Sequence, residues 1–223
     1  MFAAVNRKKP MGDNPIPRRP ATGAQPRADR SRDQLIDETV ACILEEGFSG
    51  ASAQHIAERA GVTWGVVQYH FGGRRGLLTA VVDAASERLL DALDALPIQI
   101  DGLDGVARVE YIVSTLWEIY TEPKTLAALE ILIATRQIRD DDAARRLADR
   151  TAALYQLSQG IGRDLSSREA WDIGILIQVV LHGLAAAQLV MPHPVDTTAE
   201  RQTLVHVIGE YLNGAAGSGD SAG

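Results

Sequence analysis

Residues 61–71, GVTWGVVQYHF, contain the side chains of this chain that are best suited to molecular recognition. A helix over this segment puts its apolar residues on one face and leaves Trp64, Gly65, Gln68 and Tyr69 on or beside the other. Glutamine can form a bidentate pair with adenine in the DNA major groove, aromatic rings can contact thymine methyl groups, and glycine permits close approach. The pattern predicts a helix that reads duplex DNA. Packing of the two aromatic rings against a neighbouring domain is the structural alternative.

The preceding residues predict that this helix is the second member of a helix-turn-helix unit. Ser31, with Gln three residues later, is typical of a helix start, and Gly47 is expected to close that first helix. Ser52 is a good N-cap for a short second helix, Gly61 permits a sharp turn, and Thr63 is expected to cap the third helix. Two short helices joined by a glycine-containing turn form the DNA-binding motif.

Residues 32–83 resemble the DNA-binding domain of TetR-family transcriptional regulators. The matching features are Glu46-Gly47-Phe48, the run IAERAGV at 56–62, the triplet YHF at 69–71, and the pair Leu77-Leu78. The resemblance implies a homodimer whose N-terminal domains bind a palindromic operator. It also implies a helical C-terminal domain that dimerises and binds a small-molecule effector, whose binding most simply relieves repression.

Carried across by position, the family's DNA contacts fall on residues of the second, third and fourth helices. Four positions depart from the family pattern: glutamine stands at 68 where tyrosine is common, arginine at 74 where lysine is usual, arginine at 75 where an acidic residue is common, and Gly76 is unexpected early in a helix. These departures affect the expected base preference. The implied DNA contacts are Ser52, Gln54, Thr63, Trp64, Gly65, Val66, Gln68, Tyr69, His70 and Arg74.

The rest of the chain also has helical periodicity, so we predict an all-α protein of about nine helices. Proline and glycine mark the ends, and Pro97 is expected to stop the long fourth helix. The helices expected after the third span 74–96, 106–120, 123–138, 140–160, 168–191 and 198–213. The predicted domains are a disordered basic arm (1–30), a helix-turn-helix domain (31–76), a ligand-binding and dimerisation domain (77–213) and a disordered tail (214–223).

The charge of the chain is unevenly distributed. Residues 1–32 hold eight basic and two acidic residues, whereas the remainder holds 14 basic and 27 acidic residues. A basic arm on an acidic body suits contacts with DNA phosphates. A merely solvated tail, or a misassigned start, explains the same composition, and both interpretations stay open here.

Residues 168–191 are apolar on nearly every side, so this helix is expected to bury more than one face. We predict that the helices at about 166–191 and 198–213 form an intermolecular four-helix bundle in a homodimer. The alternative is a fully buried helix of a monomer. Because Gln178, His182 and Gln188 interrupt the apolar run, a membrane span is not expected.

The resemblance also implies an effector pocket among the central helices. The aromatic or polar-edged side chains expected to line it are Trp117, Tyr120, Tyr155, Gln178 and His182. His182 also suits a hydrogen-bonded position in an ordinary core. A mainly apolar pocket favours a hydrophobic or amphipathic molecule.

The sequence does not favour an enzyme. Its five histidines and single cysteine lack metal-ligand spacing, and no phosphate-binding glycine loop or nucleophile elbow is found. We therefore expect no catalytic residue, metal or cofactor. No secretory signal is recognised, and one cysteine suits a reducing compartment, so a cytoplasmic location is expected. The competing function is a helical dimeric ligand-sensing or protein-interaction module in which DNA binding is ancillary or lost.

Overall fold

The structure is a computed structural model that describes residues 25–103, 105–139, 141–158, 167–191 and 193–219. These residues form helices and no strand, which confirms the all-α prediction. Residues 1–24 of the predicted arm and residues 220–223 of the predicted tail lie outside the described residues. The helices are α1 (Gln25–Gly50), α2 (Ala53–Arg59), α3 (Trp64–Phe71), α4 (Arg74–Gln99), α5 (Gly105–Tyr120), α6 (Pro123–Ala134), α7 (Asp141–Ser158), α8 (Ser167–Val190) and α9 (Thr198–Gly219).

Two of the expected helix starts and ends at the N-terminal side are wrong. Helix α1 begins at Gln25, so Ser31 lies inside it and is not its N-cap. Pro26 is tolerated there because the first turn of a helix has no partner for the N–H that proline lacks. Helix α4 continues past Pro97 to Gln99. A proline so near the end removes one hydrogen bond, and Leu96 and Ile100 on either side of it are buried in the core.

Two later ends also differ from the prediction. Helix α6 ends at Ala134 and not at residue 138. Beyond this end, the Thr135 hydroxyl donates to the Ile131 carbonyl (2.7 Å), and the Arg139 guanidinium donates to the Leu132 carbonyl (2.6 Å). The Arg139 guanidinium thus satisfies the Leu132 carbonyl, which the N–H of residue 136 would use in a longer helix. Helix α9 extends beyond the expected end at residue 213 to Gly219.

The helix-turn-helix unit forms as predicted from its caps and its core. The Ser52 hydroxyl accepts the N–H of His55 at 3.2 Å and caps α2. Gly61 adopts the positive φ of 66° that the turn requires, and Val62 after it donates its N–H to a carbonyl of α2. Val67 of α3 is fully buried in the core of this unit. The apolar side of α3 therefore fixes which residues face outward.

The apolar packing continues across residue 76, the predicted boundary between the two domains, and that division stays a prediction. One apolar core joins α1–α3 to the first half of α4, and it includes Ala127, Ala128 and Ile131 of α6. A second core is built from the other half of α4 with α5, α8 and α9. Because α4 contributes to both cores, a movement of its axis would affect both ends of the molecule.

The backbone of Phe48 links the helix-turn-helix unit to the rest of the chain. Its N–H donates to the Glu130 carboxylate of α6 at 2.6 Å, and its carbonyl accepts from the Arg74 guanidinium of α4 at 2.8 Å. Arg74 also donates to the Ala51 carbonyl at 2.7 Å and lies over the Phe48 ring, 4.4 Å from its centroid. Gly47 turns the chain into this position with a φ of 77°. We call Phe48, Arg74 and Glu130 the Phe48 junction.

Gly76, unexpected from the sequence, is explained by the contact between the end of α3 and the first turn of α4. A Cβ atom at residue 76 would lie 1.8 Å from the Phe71 carbonyl oxygen. That distance is far below van der Waals contact, and the obstacle is backbone, which cannot rotate away. The absence of a side chain at residue 76 thus allows α4 to start close against the recognition helix.

We predict that Gly76→Ala lowers the free energy of unfolding by about 1–3 kcal/mol, the usual cost of forcing an atom into a packed region. Urea denaturation followed by circular dichroism measures this change. Gly65→Ala is the matched control in the same unit, because its Cβ would meet only the Thr63 hydroxyl at 3.6 Å. It should leave stability equal or slightly higher. Equal stability of Gly76→Ala and the parent would contradict the close approach.

Candidate nucleic-acid interface and interior cavity

The outer face of α3 carries two large aromatic side chains that are exposed to solvent. Tyr69 is 82% exposed and Trp64 is 45% exposed, and Gln68 between them is exposed as well. The Tyr69 ring meets the ring of His70 edge-on, with centroids 5.0 Å apart. Within the described part of the chain neither Trp64 nor Tyr69 is buried against another domain. The intramolecular-packing alternative therefore does not account for this face.

The flanking predicted contacts retain groups that can bind phosphate. Ser52 uses its hydroxyl oxygen as a cap acceptor, which leaves its proton free to donate. Gln54 is exposed and donates to the Glu58 carboxylate at 3.1 Å. Thr63 is exposed and makes no side-chain cap bond with α3, and Gly65 beside it is exposed too.

Two of the expected base-contacting residues are less open than the others. Val66 is partly buried and packs against the core, so most of its side chain serves the fold. His70 is half-buried between Tyr69 and Phe71, with its ring centroid 6.1 Å from that of Phe71. These two residues lie at the boundary between the exposed face and the buried face of α3.

Arg74, which the resemblance implies as a DNA contact, is held by intramolecular bonds, and its role in DNA binding stays a prediction. Its guanidinium donates to the Ala51 and Phe48 carbonyls and stacks on the Phe48 ring, so it serves the Phe48 junction rather than extending into solvent. The reason is tertiary, because α1 and α2 bring two backbone carbonyls against the start of α4. A nearby anion-binding feature remains at the same helix end. Gly73 is the N-cap of α4 and has no side chain to satisfy the N–H groups of the first turn, which suits a phosphate.

Sequence reasoning did not identify Arg32 as a neighbour of the recognition helix. Its guanidinium lies 5.6 Å from the centroid of the Phe71 ring, at the C-terminal end of α3. The side chain is exposed and belongs to α1. The basic composition of residues 1–32 was the only signal that could have pointed to it. Arg32 adds positive charge beside a face whose other side chains are mostly neutral.

A charge cluster fixes α2 on α1 behind this face. The Arg59 guanidinium forms hydrogen-bonded ion pairs with Glu38, Glu45 and Glu46, and the His55 ring also contacts Glu46 at 3.0 Å. Hydrogen bonds from His55 and then from Arg59 hold the pKa of Glu46 below its ordinary value. Bonds to the same carboxylates raise the pKa of Arg59. The cluster orients the second helix of the motif and so the turn that follows it.

Cys42 lies beside this cluster, and its Sγ and the donor atoms of Glu46 and His55 lie within 4.8 Å of one another. The sequence spacing did not indicate this grouping. Burial, followed by the charge of Glu46, raises the pKa of the Cys42 thiol and favours its protonated form. Since Glu46 already accepts hydrogen bonds from His55 and Arg59, the grouping is better explained as part of the charge cluster than as a metal site.

Comparison with known proteins agrees with this geometry. Residues 35–81 match the family model described as bacterial regulatory proteins, tetR family, and those residues contain α2, α3 and the Phe48 junction apart from Glu130. The chain belongs to the TetR family of transcriptional regulators.

Relatives match this TetR-family chain over most of its length. The HTH-type transcriptional regulator BetI of Klebsiella pneumoniae (strain 342) is 29% identical over 201 residues, covering 86% of this chain and 98% of BetI. Two solved structures share its fold. NalD, the secondary repressor of the MexAB-OprM multidrug efflux pump in Pseudomonas aeruginosa, has a TM-score of 0.57 and 19% identity, covering 82% of this chain and 95% of NalD. The transcriptional regulator FadR of Bacillus subtilis, in complex with stearoyl-CoA, has a TM-score of 0.56 and 14% identity, covering 79% of this chain and 96% of FadR.

The C-terminal part of this TetR-family chain contains a partly open cavity of about 350 Å³ between α4, the end of α5, α6, α7 and α8, and we call it the interior cavity. Three of the five predicted pocket residues line it: Tyr120, Gln178 and His182. Trp117 instead packs at the second core beneath the Arg201 guanidinium, which lies 5.0 Å from its ring centroid. Tyr155 lies in α7, but its side chain is outside the described residues.

The polar groups of this interior cavity cluster at one place. The Tyr120 and His182 rings meet edge-on with centroids 4.4 Å apart, and the Gln178 amide is buried beside them. Although part of His182 is exposed, desolvation by the surrounding protein lowers the pKa of its ring and favours neutral imidazole. Thr125 also lines the cavity, and its buried hydroxyl oxygen has no hydrogen-bond partner among the described residues. No sequence signal distinguished this threonine from others.

Helix α8 leaves an apolar face uncovered. Ile177, Leu181 and Ala185 point into the core, whereas Leu176 and Val179 are 45% and 57% exposed. The segment Trp171–Val190 is long and apolar enough to cross a membrane by length and composition, and 28% of its most apolar part is buried in the single chain. Nearby α9 exposes Val207 and Tyr211 to 56% and 50%.

We predict that the contribution of the Arg59 cluster to stability depends on pH. The folded pKa of Glu46 lies below its ordinary 4.5, so ionised Glu46 stabilises the fold above that value, and the stabilisation is lost as pH falls through the folded pKa. Arg59→Gln should therefore lower the urea midpoint at neutral pH, and its difference from the parent should shrink below pH 4.5. Arg145→Gln, which removes an exposed arginine of α7, is the control. A difference that stays constant with pH would argue against the ion pairs as its source.

Proposed function

We propose that this TetR-family regulator is a ligand-responsive repressor that binds a palindromic operator as a homodimer and is released from it by a small molecule. The observation that carries the proposal is the exposed face of α3, where Trp64, Gln68 and Tyr69 stand together above a fully buried Val67. Exposed aromatic rings with an amide between them suit base edges and thymine methyl groups in a major groove. Such a protein acts in the cytoplasm, where DNA is accessible. The repressor NalD shares its fold.

The uncovered apolar face of α8 and α9 supports a homodimer. Leu176 and Val179 on α8 and Val207 and Tyr211 on α9 are all about half-exposed or more in the single chain. Exposed apolar side chains on two helices that contact each other favour an interface with another chain. Pairing of α8 and α9 with the same helices of a second copy would form a four-helix bundle and present two recognition helices by two-fold symmetry.

The interior cavity supports a small-molecule effector. Its walls are mainly apolar, and its polar groups are an amide, hydroxyls and an imidazole favoured in its neutral form. A buried threonine hydroxyl without a partner among the described residues is a place for a ligand to hydrogen-bond. These features favour an uncharged or weakly polar ligand with a large apolar part. FadR, which shares the fold, binds stearoyl-CoA in its solved complex.

The response to the effector is a shift between two dimer geometries. The DNA-binding geometry places the recognition helices about 34–36 Å apart, one turn of the duplex. The interior cavity is lined by Val82, Ala85 and Leu89 of α4, and the start of α4 carries Arg74 of the Phe48 junction. A ligand that prefers a different position of α4 changes the separation of the two α3 helices. It shifts the equilibrium only by the difference in its affinities for the two geometries.

Selection of bound duplexes from a random pool by the purified full-length protein, at near-physiological salt, tests the proposal. We expect an enriched palindrome with half-sites about one helical turn apart. No enrichment by a folded dimer that has been freed of bound ligand by refolding would contradict the proposal. It would instead favour a helical ligand-sensing or protein-interaction module that has lost DNA binding.

We predict that Gln68→Ala weakens binding to the selected palindrome by about 1–3 kcal/mol and relaxes base preference at one position of each half-site. Fluorescence anisotropy with a panel of single-base variants of the duplex measures both effects. Gln137→Ala removes an exposed glutamine from the turn after α6 and should bind like the parent. Unchanged affinity and unchanged preference in Gln68→Ala would show that another face contacts the bases.

We predict that Leu176→Glu converts the dimer to a monomer, because two like charges would be buried where the α8 helices meet. Leu176 is 45% exposed and does not line the interior cavity. Sedimentation velocity measures the mass, and anisotropy should show loss of tight binding to the palindrome. Ile98→Glu is the matched control, since Ile98 is 81% exposed near the end of α4 and away from α8 and α9 in the chain. A Leu176→Glu protein that remains dimeric would place the interface elsewhere.

A further inference from the structure

A second cavity, of about 230 Å³, lies at the Phe48 junction rather than among the central helices. Phe48 and Arg74 form one wall, and α4, α6 and the start of α7 form the others. Its interior surface is apolar and includes Leu78, Ile131 and Leu147. We call it the junction cavity.

The residues that line the junction cavity carry a net positive charge, whereas the chain after residue 32 is acidic overall. Of the 14 basic and 27 acidic residues after residue 32, the cavity lining takes four arginines and one aspartate, Asp83. The arginines are Arg74, Arg75, Arg139 and Arg146. A lining with three more positive than negative charges opposes the overall charge of the body, so solubility does not explain it. It favours an anion.

Two of these arginines are available to a ligand. Arg139 donates from one of its nitrogens to the Leu132 carbonyl at 2.6 Å, and this bond holds the side chain at the cavity while its other N–H groups remain. Arg146 is exposed on α7, next to Leu147 and three residues after Ala143, both of which also line the cavity. Arg74 is committed to the Phe48 junction, so it contributes charge more than new hydrogen bonds.

We propose that the junction cavity binds a small amphipathic anion. Its apolar part lies among Leu78, Ile131 and Leu147, and its carboxylate or phosphate group lies near Arg139 and Arg146. The interior cavity differs in chemistry, because its polar groups are an amide, hydroxyls and an imidazole, with no arginine in its lining. The two cavities share only the walls formed by Val82, Leu132 and Leu147. Occupation of the junction cavity by an anion requires neither an effector in the interior cavity nor binding to DNA.

Isothermal titration calorimetry of the full-length protein with octanoate, octyl phosphate, octanol, octylammonium and acetate tests the proposal. We expect the two octyl anions to bind, with affinity about tenfold or more above that of octanol, because hydrogen bonds to charged groups are worth about 1.5–3 kcal/mol. The ratio of the affinities for octanoate and octyl phosphate distinguishes a carboxylate ligand from a phosphate ligand. Acetate and octylammonium should bind much more weakly. Octanol binding as tightly as octanoate would overturn the proposal.

Variants locate the site. The double variant Arg139→Gln/Arg146→Gln should weaken octanoate binding about tenfold or more. Arg145→Gln, which removes a neighbouring charge of α7 outside the lining, should leave it unchanged. Gln178→Leu in the interior cavity should also leave it unchanged. Circular dichroism verifies folding, and the headgroup series on the unaltered protein tests the charge preference independently. Parent-like octanoate affinity in the double variant, or a loss confined to Gln178→Leu, would show that the anion occupies another place and would refute the proposal.

Discussion

The hydrogen bonds at the Phe48 backbone are the constraint on which the arrangement of the two halves depends. The Phe48 N–H is held by Glu130 of α6 and its carbonyl by Arg74 of α4, so one peptide segment is tied to both parts of the molecule. These are charge-assisted bonds at a partly buried site, so each is stronger than a hydrogen bond between two neutral groups. The recognition helix follows α2 directly, and its orientation therefore depends on where this segment is held.

The recognition surface has shape and hydrogen-bonding capacity but little charge of its own. Trp64, Gln68 and Tyr69 are neutral, and the arginine expected to contact phosphate is used in the Phe48 junction. In the proposed complex with DNA, phosphate contacts would fall to the start of α4, which has no side-chain cap, and to Arg32 beside Phe71. This separation assigns base preference to α3 and general affinity to its surroundings.

Helix α4 connects every feature of functional interest. Its start packs against α3 through Gly76, its first half lines the junction cavity, and its middle lines the interior cavity. It also contributes to both apolar cores. A ligand in either cavity contacts the same rigid element, and the Phe48 junction carries a displacement of that element to the helix-turn-helix unit. Close packing makes such an element move as a body rather than deform locally.

The sequence by itself determined the helical class, the helix-turn-helix motif and the outward residues of α3, because periodicity, caps and turn glycines act within a few residues. Ser52 and Gly61 behave as their types dictate. Only the tertiary structure decided that Arg74 turns inward, that Gly76 meets the Phe71 carbonyl, and that α1 starts at Gln25 and not at Ser31. It also gathered Thr125 with Tyr120, Gln178 and His182, and it brought four arginines from two separate segments, 74–75 and 139–146, around a second cavity. Such contacts join residues far apart in the chain, and their local sequence contains no information about which partners the packing of the helices will supply.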